Sequence, residues 1–79
     1  MLKLRIVSPE RVVFDGEVSS VDVPGTVGRF QILNNHAPII SSLTEGTVEY
    51  ATVSGVEHIE VAGGFVAVNH NEVNLCVEM

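Results

Sequence analysis

A single cysteine, Cys76, stands in the chain. It excludes an intrachain disulfide and any zinc site built from four cysteines, and it fits a reducing compartment. Cations are scarce as well. Lys3, Arg5, Arg11 and Arg29 face ten Asp and Glu, for a net charge of −6. Neutralising a phosphate backbone takes many Lys and Arg side chains, so no nucleic-acid partner is expected. No apolar run approaches the roughly 18–20 residues that cross a bilayer as a helix. The opening Met1-Leu2-Lys3-Leu4-Arg5 alternates and lacks the charged head and apolar block of a leader, so none is expected. With 79 residues, the chain has room for one domain, since a second core would need roughly 100 residues or more.

Catalytic patterns are missing too. His36, His58 and His70 form no H-x-x-x-H or H-x-H pair, and Cys76 has no partner at ligand spacing. Ser19-Ser20 and Ser41-Ser42 lack the glycines of a nucleophile elbow. Gly25-Thr26-Val27-Gly28 lacks the Gly-Lys-Ser/Thr ending of a phosphate loop and the helix behind it, so turn geometry explains its glycines. The carboxylates are scattered along alternating stretches, and no two are singled out as acid and base. No independent enzyme, cofactor or metal is expected.

What is present points to sheet. Fifteen residues are Val and five Ile, against five Leu and four Ala. Branching at Cβ suits a pleated surface better than a helix. Leu2, Leu4 and Ile6 alternate with Lys3 and Arg5, and Val73, Leu75 and Val77 with Glu72, Asn74, Cys76 and Glu78. Val12 and Phe14 share one parity and Val21 and Val23 the other, so the phase shifts between them, at a turn on Asp15-Gly16 or a bulge at Ser19-Ser20. Pro24 to Gly28 reads as a loop. Gly63-Gly64 marks a close backbone approach or a sharp bend. Phe65-Val66-Ala67-Val68 is apolar on both parities, the pattern of a strand buried on both faces. Eight to ten short strands with closely spaced turns indicate an all-β sandwich or barrel.

Charge is unevenly spread. Residues 1–29 sum to zero, while residues 30–79 hold six Glu and neither Lys nor Arg. Such a half is either a set of solvated strand faces or a surface complementary to a basic partner. The stretch from Val21 to Leu43 is conspicuous for its density of Gly, Pro and Asn. Loops of defined shape on a rigid sheet usually carry recognition.

From Ser19 to Ile40, with Val21-Asp22-Val23-Pro24-Gly25, Gly28-Arg29-Phe30-Gln31-Ile32-Leu33 and His36-Ala37-Pro38-Ile39-Ile40, the chain resembles the epsilon subunit of F-type ATP synthase. Leu43-Thr44-Glu45-Gly46-Thr47-Val48, Val61-Ala62-Gly63-Gly64-Phe65 and the opening Leu2 to Pro9 fit the same family in order and spacing. The resemblance implies the family's N-terminal domain, a flattened β-sandwich of two roughly five-stranded sheets. It implies a non-catalytic part of the central stalk, packed on the gamma subunit and on the polar loops of the c-ring. Such a part couples proton flow to ATP synthesis, and the complex alone holds it at the cytoplasmic face of a bacterial inner membrane. The interface so implied comprises Arg29 and Phe30 near the ring, His36, Ala37 and Pro38 against gamma with Ile40 and Leu43 in the same contact, and Gln31 beside them.

There are departures from the family pattern. Arg29 stands where an acidic residue is common, Gln31 where Gly is frequent, and Asn34-Asn35 replaces a frequent Pro-Gly. The C-terminal helical hairpin of many members is absent, so a short form without the inhibitory arm, or a fragment, is expected. Two other readings of the residues are an acidic β-sandwich adaptor for a basic partner and a small metal- or histidine-dependent enzyme domain.

Overall fold

The computed structural model describes residues 1–79. Nine strands follow in chain order: β1 Leu2–Val7, β2 Val12–Val18, β3 Ser20–Gly25, β4 Gly28–Ile32, β5 Ile39–Leu43, β6 Gly46–Thr52, β7 Gly55–Val61, β8 Gly63–Asn69 and β9 Glu72–Glu78. There is no helix, so none long and apolar enough to cross a membrane. One layer has the order β2-β1-β9-β8-β5 and the other β4-β3-β6-β7. A single pair, Gly25 with Leu43, joins them and curls the sheet into a sandwich. The expectation of two roughly five-stranded sheets becomes five strands against four.

Period two builds the core as expected. Leu2, Leu4 and Ile6 are fully buried, while Lys3 and Arg5 on the same strand face water. Val66, Val73, Leu75 and Val77 complete the inner face of the first layer, against Val21, Val23, Ile32 and Val48 of the second. Each such side chain contributes about 1.5–3 kcal/mol on leaving water. All pairings are antiparallel except β1 with β9, which is parallel and joins the two ends of the chain.

One open choice is settled and two local expectations change. β2 runs straight through Asp15-Gly16, paired with Arg5 and Leu4, and the phase shifts at the bend on Ser19, where the chain leaves one layer for the other. Pro24 and Gly25 lie inside β3, and the turn is only Thr26-Val27. Proline is tolerated there because the β3–β6 ladder ends at Asp22 with Glu49, so no bond needs the missing N–H. β8 is not buried on both faces: Val66 and Val68 are inside, but Phe65 is 47% exposed.

The layers meet in part through aromatics. The rings of Phe14 and Tyr50 lie 4.6 Å apart at 45°. Burial raises the Tyr50 hydroxyl above its ordinary pKa of 10.0, and the charge of Glu57, its cross-strand partner, adds to this. The folded state therefore holds this proton more tightly than the unfolded chain. Stability from this group is complete below the unfolded value, about 10, and falls as pH rises through the raised one. Urea midpoints of the wild type should drop faster above that pH than those of Tyr50→Phe; parallel curves would refute the coupling.

Candidate docking surfaces

The first surface is the outer face of β5, β8 and β9. Alternation turns Ile39, Leu43, Val66 and Val68 inward and leaves their neighbours outside. The register pairs Ile40 with Ala67, Ser42 with Phe65, and Phe65 with Cys76, which also pairs with Val7 of β1. Ile40 is 81% exposed. Two open depressions flank Phe65 and Ala67. One of about 300 Å³ involves Val7, Pro9, Phe65 and Cys76; the other, about 510 Å³, involves Pro38, Ile40 and Ala67. A contiguous apolar patch of this kind on a small domain of net charge −6 marks an interaction surface.

Of the residues expected at an interface, Ile40 and Pro38 lie on this face. Leu43 is only 5% exposed and belongs to the core. Phe65 and Ala67 are not legible as part of this face, because an apolar outer face and a doubly buried strand share one sequence pattern, and Cys76 shares the outer parity of β9 with Glu72, Asn74 and Glu78.

The second surface is the tip of the β3–β4 hairpin. Val27 is wholly exposed. Gly28 has φ 140°, a left-handed value that favours glycine in this tight turn. The tip is tied to β5: Thr26 N–H donates to Ser42 O at 3.2 Å, Thr44 N–H to Pro24 O at 2.9 Å, and the Thr26 and Ser42 hydroxyls bond at 3.0 Å. Arg29 and Gln31 are exposed, and the Arg29 guanidinium lies 3.6 Å from the Glu49 carboxylate. Phe30 has the opposite parity and packs against the core, so it does not join its two neighbours.

The third is a polar recess of about 340 Å³ at one end of the sandwich. It brings together His36 and His70, 34 residues apart, and Asn35 and Asn71, 36 residues apart. Asn35 N–H donates to Asn71 Oδ1 at 2.8 Å, which holds the two loops together. Asn35 takes φ 64°, a left-handed value that asparagine tolerates. His36 Nδ1 donates to Ala37 O at 2.7 Å and so orients the ring. His58 is remote from both, on the outer face of β7 across from Glu49. Nowhere do three His, Cys, Asp or Glu side chains converge as metal ligands.

All 79 residues match the family model described as the ATP synthase delta/epsilon chain β-sandwich domain. The ATP synthase epsilon chain of Leptospira borgpetersenii is 39% identical over 77 residues, 98% of this chain and 61% of that protein. That of Desulfitobacterium hafniense is 44% identical over 75 residues, 95% of this chain and 57% of that protein. The Chlorobium limicola epsilon chain is 40% identical over 77 residues, 96% of this chain and 88% of that protein. The chain thus spans about three-fifths of the length of the first of these relatives. Among solved structures, a chain of the Euglena gracilis mitochondrial ATP synthase superposes with a TM-score of 0.91 at 20% identity, over 99% of this chain and 51% of that one. A chain from the Tetrahymena thermophila central stalk and c-ring gives 0.81 at 20% identity, over 99% and 63%. At that identity the superpositions speak for the fold. The family match spans every strand from β1 to β9, and with relatives near 40% identity it establishes that the chain belongs to the ATP synthase epsilon-chain family through its β-sandwich domain.

Proposed function

We propose that the chain is a non-catalytic central-stalk subunit of a proton-translocating F-type ATP synthase. It binds the gamma subunit and the polar loops of the c-ring and couples proton passage to ATP synthesis. It is peripheral, held at the cytoplasmic face of a bacterial inner membrane by the complex. One observation carries the reading: an apolar outer face around Ile40 and Phe65 that the chain's own elements leave exposed, on a domain too small to leave such a face idle. The relatives supply the assembly in which that face would be covered.

Within this reading Ile40 and Pro38 meet gamma, along with the recess at His36. The hairpin tip with Arg29 and Gln31 turns toward the ring. Arg29 is a cation in a net-negative chain, so it favours a carboxylate on the ring loop opposite.

Co-expression with the gamma subunit should yield an equimolar pair. An apolar contact keeps the pair together near 1 M salt, where the Debye length is only about 3 Å. A basic partner held by the acidic half of the chain would be released under those conditions. Absence of any affinity for gamma or the c-ring, or ATP hydrolysis by the isolated chain, would overturn the proposal.

A further inference from the structure

Three strands of the sandwich, β2, β7 and β4, have an unpaired edge along their length. Such edges invite pairing, and charged side chains are the usual defence. β2 carries Asp15 and Glu17, and β7 carries Glu57 and Glu60, so a second copy set against either edge meets like charge. β4 carries no carboxylate, and its only charge is Arg29.

The backbone of β4 is oriented for pairing. Pro24 O accepts from Thr44 N–H, so residue 24 directs its backbone groups away from β4. Its cross-strand partner is Arg29. In an antiparallel ladder, both members of such a pair turn their N–H and C=O outward. Arg29 therefore presents both groups to solvent, and by alternation Gln31 does the same. Phe30, between them, turns its backbone groups toward Val23 instead.

The edge is complementary to itself about Phe30. An antiparallel second copy with its own Phe30 opposite this one sets Arg29 against Gln31 of the copy, and Gln31 against its Arg29. The outward backbone groups then meet in both pairs. At each end Val27, 100% exposed, comes opposite Leu33, 50% exposed. The Phe30 rings, half-buried within each domain, close on one another as an aromatic cross-strand pair. Other registers are poorer. A shift of two residues one way sets Arg29 opposite Arg29, a like-charge pair. The same shift the other way sets Arg29 opposite Leu33, whose C=O already accepts from His36 N–H. A shift of one residue turns outward groups against inward ones. We infer that β4 pairs with β4 of a second copy of this chain, about a two-fold axis at Phe30, in one continuous sheet. The dimer is a state of the free chain, since in the proposed stalk the same hairpin turns toward the ring. The pairing is short, so the dimer is weak.

Sedimentation of the chain from about 10 µM to about 1 mM, the span that suits a weak interface, should show monomer passing to dimer. Proline is tolerated where an edge strand's N–H faces solvent, so Gln31→Pro should fold and melt like Gln31→Ala. Gln31→Pro loses a hydrogen bond at both symmetric positions and should weaken the dimer about thirty-fold, while Gln31→Ala stays within about three-fold. Should Gln31→Pro misfold, Gln31→Lys takes its place. Its charge sits beside Asp22 in its own sheet but opposite Arg29 of the other copy, and it should weaken the dimer about five-fold. In an equal mixture of isotope-labelled and unlabelled chain, filtered nuclear Overhauser contacts should link Val27 to Leu33 of the other copy. The Arg29 and Gln31 amides should gain protection from exchange as concentration rises. A chain that stays monomeric to about 1 mM overturns the inference. So does a dimer protected elsewhere, as around Ile40 and Phe65, or one that Gln31→Pro and Gln31→Lys leave as tight as Gln31→Ala. None of these results touches the stalk role.

Discussion

Alanine at Gly64 is expected to disrupt the fold more than any other single methyl group added to this chain. Gly64 sits mid-sheet, paired with Leu43 on one side and Val77 on the other. Its φ of 139° lies in a region that side chains rarely enter. A Cβ there would overlap the Cys76 carbonyl oxygen and come within 2.9 Å of Val77 Cα. Both obstacles are backbone, so no rotamer change relieves them. Backbone strain and lost pairing together should remove about 3–5 kcal/mol. A domain of this size has about 4–12 kcal/mol to lose. Gly55 is the control: its φ is 126°, but open space surrounds the position of its Cβ. Alanine there adds strain alone, at the low end of about 1–3 kcal/mol. Urea denaturation followed by circular dichroism measures both. Equal midpoints for the two variants would show that the close approach of β8 and β9 does not matter.

The dipeptide Gly63-Gly64 announced that close approach from sequence, because few other reasons place two glycines in a strand. The alternation of β1 and β9 was equally legible, since each has one wet and one dry face. Pro24-Gly25 was not. Those residues usually break strands, and only the early end of the β3–β6 ladder makes room for them. The outer face around Phe65 was hidden for a different reason. A side chain buried under another strand and one buried under another subunit obey the same hydrophobic term. Composition therefore reports that Phe65, Ala67 and Ile40 avoid water and is silent on what covers them. The family resemblance sets Ile40 and Leu43 together as interface residues, although they point to opposite sides of one strand.

That opposition allows packing and docking to be separated three residues apart on β5. Leu43 lies in the core at 5% exposure, so Leu43→Ala should cost about 2–4 kcal/mol of stability and lower the melting temperature of the free domain. Its gamma affinity, corrected for the unfolded fraction, should stay near that of the wild type. Ile40 is 81% exposed and supports nothing inside the domain, so Ile40→Ala should melt within about 0.5 kcal/mol of the wild type. If its side chain fills a pocket on gamma, truncation should cost more than about 1.4 kcal/mol of binding, a ten-fold rise in Kd. An aspartate at the same place should cost still more, since it carries a charge into an apolar contact without a partner. Calorimetric titration of each folded variant against gamma, alongside its melting curve, reads the two effects separately. Were Ile40→Asp to bind gamma as tightly as the wild type, the apolar face of β5, β8 and β9 would not be the docking surface. The side chain of Ile40 would then be exposed in the assembled stalk as it is in the free chain.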